Sequence, residues 1–145
     1  MISTKWLQGK DNINEALEIR KKVFCDELNQ DKVMVYDVLD DFAYNVVIYE
    51  DEIPVGSGRL LFKEGKYFID NVCVLKEYRG RHYGDLIVRM LVRRSVNMGA
   101  EDTFSLVDSN CMKLFENIGF IKTEEYEDGK SLMIKTGDVG GGCKQ

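Results

Sequence analysis

The chain is poor in the residues that build metal centres and disulfide frameworks. It has one histidine, His82, and four cysteines, Cys25, Cys73, Cys111 and Cys143, scattered without a C-x-x-C pair. That spacing excludes the common zinc and redox motifs, so no metal is expected. Cys25, Cys73 and Cys111 read as small apolar packing residues, and Cys143 as an exposed thiol. Long apolar runs are missing too: none approaches the length that spans a bilayer. The opening MISTKWLQGKDN lacks the apolar core of a signal peptide. The expected location is therefore cytoplasmic, with no membrane partner. Surplus positive charge is also absent: the net charge of −5 weighs against a nucleic-acid partner.

What is present is the composition of an ordinary globular domain, 44% hydrophobic and 31% charged. Residues 1–136 read as one domain and 137–145 as a flexible glycine-rich tail. The charges are unevenly placed. Arg79, Arg81, Arg89, Arg93 and Arg94 crowd one region, and Asp37, Asp40, Asp41, Glu50, Asp51 and Glu52 another. Such asymmetry suits an anionic ligand on one side, although a solvated surface explains the acidic set equally well.

Periodicity gives the order of elements. Ile2 to Leu7 reads as a strand. Ile13, Ala16, Leu17, Arg20, Phe24 and Leu28 recur at three and four, predicting a helix capped by Asp11 or Asn12. Arg20 lies near the apolar stripe of that helix, so it should have a partner or snorkel to solvent. Three strands of a meander follow: 44–50, 55–63 and 66–75, with Gly56 and Gly58 marking a bulge or a close backbone approach. A helix from about 86 to 98 ends at Gly99. A short strand (103–107), a short helix (111–117) and a hairpin turning at Asp128-Gly129 complete a β-α-β-β-β-α-β-α-β-β order in an α+β domain.

Between the fourth strand and the next helix stands Arg79-Gly80-Arg81-His82-Tyr83-Gly84. A helix beginning there presents unpaired N–H groups and the positive end of its dipole. Glycines let a phosphate approach the backbone, and arginines add charge. The alternative is a plain strand-to-helix turn with solvated arginines.

Two motifs favour the first reading. VCV-LKEY followed by RGRHYG resembles the Gln/Arg-x-x-Gly-x-Gly/Ala acyl-CoA signature of the GNAT superfamily of N-acetyltransferases. Further on, NCMKLFENIGF resembles that family's A-x-x-x-x-(Phe/Leu)-Tyr-Glu-x-x-Gly-Phe segment. The resemblance implies a mixed, mostly antiparallel sheet flanked by helices and splayed between strands 4 and 5. Acyl-CoA, as the acetyl donor, would lie in that splay. It further implies that the backbone of Val72, Cys73 and Val74 holds the pantetheine arm and polarises the thioester. Arg79, Gly80, Arg81, His82, Tyr83, Gly84 and Asp85 would hold the pyrophosphate. Asn110 would either touch the cofactor or cap the short helix.

Two positions depart from the family pattern. His82 stands where the signature has its first glycine, so its amide is expected on the phosphate and its ring outside. Phe115 stands where a tyrosine often protonates the departing thiolate. A water or another side chain would then donate, or the thiolate would leave unassisted, or no catalysis would occur; Cys111, one turn earlier, is a conceivable but weak donor. Asp70 and Asp108 are the general-base candidates, and Asp40 and Asp41 could attract an ammonium group.

The reading is acetyl transfer to a primary amine of a small molecule or peptide. The alternative is a non-catalytic acyl-CoA sensor. IRKKVFCDEL and VGSGRLLF are also similar to segments of acyl-homoserine-lactone synthases, which are longer enzymes. Small acetyltransferases of unassigned substrate carry the same stretches and match better. An exposed edge strand at the C-terminal hairpin would permit a homodimer.

Overall fold

Alternating and β-branched segments pair into one seven-stranded sheet in the computed structural model, which describes residues 1–9, 12–30 and 36–139. The strands are β1 (Ile2–Gln8), β2 (Tyr44–Glu50), β3 (Ile53–Lys63), β4 (Lys66–Val74), β5 (Asp102–Asp108), β6 (Ile121–Glu125) and β7 (Lys130–Thr136). Their spatial order is β1-β2-β3-β4-β5-β7-β6. All neighbours run antiparallel except β4 and β5, which are parallel. The connection between those two carries the helix α2 (Tyr83–Asn97), as a parallel crossover requires. The predicted order of elements and the mixed, mostly antiparallel sheet are both found.

The first helix differs from its prediction. α1 spans Asn14–Arg20 and then widens into a π-helix over Lys21–Glu27. Its start at Ile13 has no side-chain cap; Asn12 instead takes a positive φ of 58°, and Asp11 lies outside the described residues. No sequence breaker marks the widening. It coincides with the stretch where Val23, Phe24, Glu27 and Leu28 turn toward a cleft, a common place for such turns.

The core has two halves, one on each face of the sheet. On one face Ile87, Val88, Leu91 and Val92 of α2 pack on Val46, Ile48, Val55, Leu60 and Ile69, joined by Phe115 and Ile118 of α3 (Met112–Ile118). α2 sits close because Gly58 has no side chain: a Cβ there would lie 2.6 Å from Cγ2 of Ile87 and 2.8 Å from Cδ1 of Leu91. Close approach is thus the reason for that glycine. On the other face α1 places Ile13, Ala16, Ile19 and Val23 against Val47, Cys73 and Leu75. Cys73 is buried as expected and Cys25 is partly so, but Cys111 is exposed. It sits in the 3-10 turn Ser109–Cys111 just before α3, outside the apolar packing. Cys143 lies outside the described residues.

A bulge shapes the centre of the sheet. Ser57 opposes Cys73 and Arg59 opposes Asp70, so Asn71 and Val72 together face Gly58. Asn71 has φ 52°. Bulges bend the strand that carries them and increase its twist. The parallel ladder between β4 and β5 runs only through Tyr67–Thr103, Phe68–Phe104 and Ile69–Ser105, and stops where this bulge begins. Ser105 Oγ donates to the Ile69 carbonyl at 2.8 Å and pins the last rung. Beyond it the two strands part.

Candidate active-site cleft

The parting of β4 and β5 opens a cleft of about 540 Å³. Val72, Cys73 and Val74 line one side, Asp108, Asn110 and Cys111 the other, and Leu114 and Phe115 of α3 close it from above. Val23, Phe24, Glu27 and Leu28 form a further wall. The first turn of α2 contributes Tyr83, Gly84 and Asp85. The residues singled out on β4, in the glycine turn and before α3 are therefore brought together, although they are far apart in the sequence.

The glycine turn is built as an entry to α2. Gly80 has φ 83° and His82 has φ 65°, both left-handed. His82 is the N-cap residue, its side chain is exposed, and no side-chain oxygen caps the helix. The leading N–H groups of α2 consequently have no intrahelical partner, and the dipole's positive end meets the cleft. A Cβ at Gly84 would find only Cδ2 of Leu114, at 3.4 Å, so the wall beside those amides is shallow. Asp85, in the first turn, is paired with Arg89 at 2.8 Å, which offsets its negative charge at the helix start.

The two arginines of this turn are already engaged. Arg79 makes a bidentate pair with Glu27, 2.7 Å on each arm, and donates Nε to the Val74 carbonyl at 2.9 Å. It ties the end of β4 to the π-helical wall. Arg81 pairs with Glu50 at 2.7 and 2.8 Å and stacks over the Tyr78 ring, while the Tyr83 hydroxyl donates to the same carboxylate. The hydrogen bonds from Arg79 and Arg81 hold the Glu27 and Glu50 carboxyls below the usual carboxylate range. Both pairs are partly solvent-exposed, so they orient the turn more than they stabilise the fold.

The two acidic base candidates separate. Asp108 lines the cleft at the end of β5. Asp70 does not: it is held by Arg59, with both contacts at 2.7 Å, on the sheet face occupied by α1. Phe115 is buried and meets Phe120 edge-to-face at 5.0 Å, so this position supplies no hydroxyl to the cleft. Cys111 does line it, and partial desolvation, helped by the Asp108 carboxylate, raises its thiol pKa. Cys73, by contrast, is buried, and its thiol is pushed up to about 12. Only its main chain is available to a ligand. Asn110 lines the cleft, and no side chain caps α3.

A buried ion network escaped the sequence reading. Arg20 and Asp40, both fully buried, form a bidentate pair at 3.0 Å on each arm, and Arg20 also donates to Asn45. Arg59 bonds Asp37, Asp40 and Asp70. Burial by itself would raise the Asp40 carboxyl, but the Arg20 bonds and charge, with the Asp37 amide and Arg59, hold it below its usual value. Asp40 also closes a capping box with Asp37 on the 3-10 turn Val38–Phe42. The arginines in IRKKVF and GSGRLL thus anchor α1 and the turn before β2 to the sheet. The signal available was an arginine beside an apolar stripe; its partner, across the loop and the sheet, was not readable. Among the described residues, no group of three or more His, Cys, Asp or Glu could hold a metal ion, and no helix is long and apolar enough to cross a membrane.

A parallel pair of strands splayed at a bulge, with an uncapped helix start at the mouth, defines the acyl-CoA N-acyltransferase fold class. The sequence matches the acetyltransferase (GNAT) family over residues 10–120, and the chain belongs to that family. It is 26% identical over 120 residues to the uncharacterized N-acetyltransferase YjcF of Bacillus subtilis, covering 83% of this chain and 86% of that one. The fold is shared with an acyl-CoA N-acyltransferase from Pseudomonas aeruginosa, at TM-score 0.80 and 17% identity over 94% of this chain and 100% of that one. It is shared also with N-acetylglutamate synthase from Neisseria gonorrhoeae, solved with coenzyme A and N-acetylglutamate, at TM-score 0.70 and 15% identity. That match covers 94% of this chain and 35% of the synthase.

Proposed function

We propose that the protein transfers an acetyl group from acetyl-CoA to the primary amine of a small molecule or peptide. The observation that carries this is the end of the β4–β5 ladder at Ile69–Ser105, directly before Val72–Val74 and facing the uncapped start of α2. The residues fit such a donor: shallow Gly84, the free leading amides of α2, and a cleft walled by Val72, Val74, Leu114 and Phe115. Acetyl-CoA supplies an activated acyl carbon.

The chain's own groups do the rest. Main-chain groups of Val72 to Val74 orient the thioester, and donors aimed at its carbonyl oxygen favour the charge that develops there. The amides of Tyr83, Gly84 and Asp85 hold the pyrophosphate, with the His82 ring pointing away. Asp108 is the carboxylate in the cleft that can take the amine proton, directly or through one water. Cys111 also lines the cleft and can return a proton to the departing thiolate, the role that Phe115 cannot fill, although desolvation raises its pKa and makes it a weak acid for that step.

Phe115 also supports a second reading, an acyl-CoA sensor without catalysis. Two measurements divide the cases. Acetyl-CoA at 100 times its dissociation constant should stabilise the fold by about 2.7 kcal/mol, a rise of roughly 5–10 °C in Tm. An enzyme will also release coenzyme A in the presence of an amine, and a sensor will not. No rise in Tm with acetyl-CoA or coenzyme A would refute both readings.

A further inference from the structure

The sheet face opposite α2 carries an apolar patch that begins on the paired rungs of the β4–β5 ladder, just before the strands part. Phe68 and Phe104 oppose each other on a rung of the β4–β5 ladder, their ring centroids 5.5 Å apart. Register continues that face: Ile134 lies opposite Phe104, and Leu132 opposite Leu106. α1 packs on β2, β3 and β4 of this face, whereas the part over β5 and β7 has no helix packed on it among the described residues. Leu106 is accordingly 50% exposed.

Charge borders the patch on two sides. Asp70 is two residues along β4 from Phe68 and on the same face. Its carboxylate and that of Asp37 reach solvent, with 40% and 43% of their side chains exposed. Among the described residues, the three carboxylates Asp37, Asp40 and Asp70 meet the two guanidiniums Arg20 and Arg59, which leaves one net negative charge. At the other end Lys63 lies over the Phe68 ring and Lys66 over the Phe104 ring, at 5.1 and 5.6 Å.

From this arrangement, and resting on the acetyl-transfer reading above, we infer that the acceptor is a monoamine with an aromatic or bulky apolar body. Its ammonium is drawn toward Asp70 and Asp37, where β4 and β5 part, and its body covers Phe68, Phe104 and Leu106. The two lysines disfavour a second cation at the far end, so a polyamine fits poorly. Rings and aliphatic side chains offer no hydrogen bonds to a hydroxylated acceptor such as an aminosugar.

The test uses the intact protein with acetyl-CoA and compares 2-phenylethylamine, propylamine and spermidine, following coenzyme A release by chromatography. The expected kcat/KM for 2-phenylethylamine exceeds the other two by about tenfold or more, the discrimination that apolar contacts of this size provide. Leu106→Lys, at an exposed position, should remove most of that preference while leaving the Tm rise with acetyl-CoA intact. Equal rates for the three amines, no rate with any of them despite a Tm rise, or a preference unmoved by Leu106→Lys would each overturn the inference and leave cofactor binding standing. Absence of any Tm rise would overturn the functional reading and this inference with it. A dimer that Leu106→Lys dissociates would show a second copy covering the face, and would also overturn it.

Discussion

Replacing Asp40 with asparagine tests what holds α1 on the sheet. The Asp40 carboxylate is fully buried and accepts from Arg20 at 3.0 Å and from Arg59 at 3.2 Å. Asparagine keeps the volume but removes the charge, and it turns an NH₂ toward a guanidinium that also donates. Arg20, itself fully buried, would then lose the Asp40 carboxylate. Breaking a buried pair from one side costs about 3–5 kcal/mol, a large part of the roughly 5–15 kcal/mol that a domain has in total. The expected loss in Tm is roughly 10 °C or more. A thermal melt followed by circular dichroism measures the Tm, and a urea titration the free energy.

The pH dependence has a definite sign. The Asp40 carboxyl is held lower in the folded chain than in the unfolded one. Its contribution is therefore complete above the unfolded value of about 4 and is lost as pH falls through the folded value. The wild-type protein should lose stability below about pH 4, and Asp40→Asn should lose less over that interval. A loss under about 1 kcal/mol at neutral pH with an unchanged denaturant slope would refute the view that this network fastens α1.

Two further substitutions probe the cleft's supports. Gly58→Ala puts a methyl group within 2.8 Å of Ile87 and Leu91 and should cost about 1–3 kcal/mol in thermal or urea unfolding; a neutral result would mean that α2 can retreat from β3. His82→Gly relieves a left-handed histidine, worth about 1–2 kcal/mol, against an added backbone entropy cost of about 0.5–1. Tm should stay level or rise slightly, with acetyl-CoA affinity unchanged in calorimetry; weaker binding would mean that the imidazole itself contacts the ligand.

Much of the architecture was legible because local chemistry and burial pattern agree. Periodicity in α2, β-branched runs in β2 and β4, and Gly99, Gly119 and Gly129 at left-handed positions each specify local geometry through neighbouring residues alone. The π-helical end of α1 was not legible, since nothing in Lys21–Glu27 breaks a helix and the widening accompanies contacts with a distant turn. Cys111 looked like a packing residue because its exposure depends on where a 3-10 turn leaves the sheet.

The candidate site divides the same way. Residues proposed to act through main chain could be named: Gly80 and Gly84 from their place between a strand and a helix, and Val72 from the family resemblance. Residues whose role rests on a side-chain partner could not. Arg79 and Arg81 are committed to Glu27 and Glu50, and Asp70 to Arg59, through pairings 11 to 52 residues apart in the chain. By itself the sequence determined which elements form and in what order, because those depend on short-range propensity and periodicity. Only the tertiary structure decided which charges meet, since an ion pair depends on distances that the folded sheet creates.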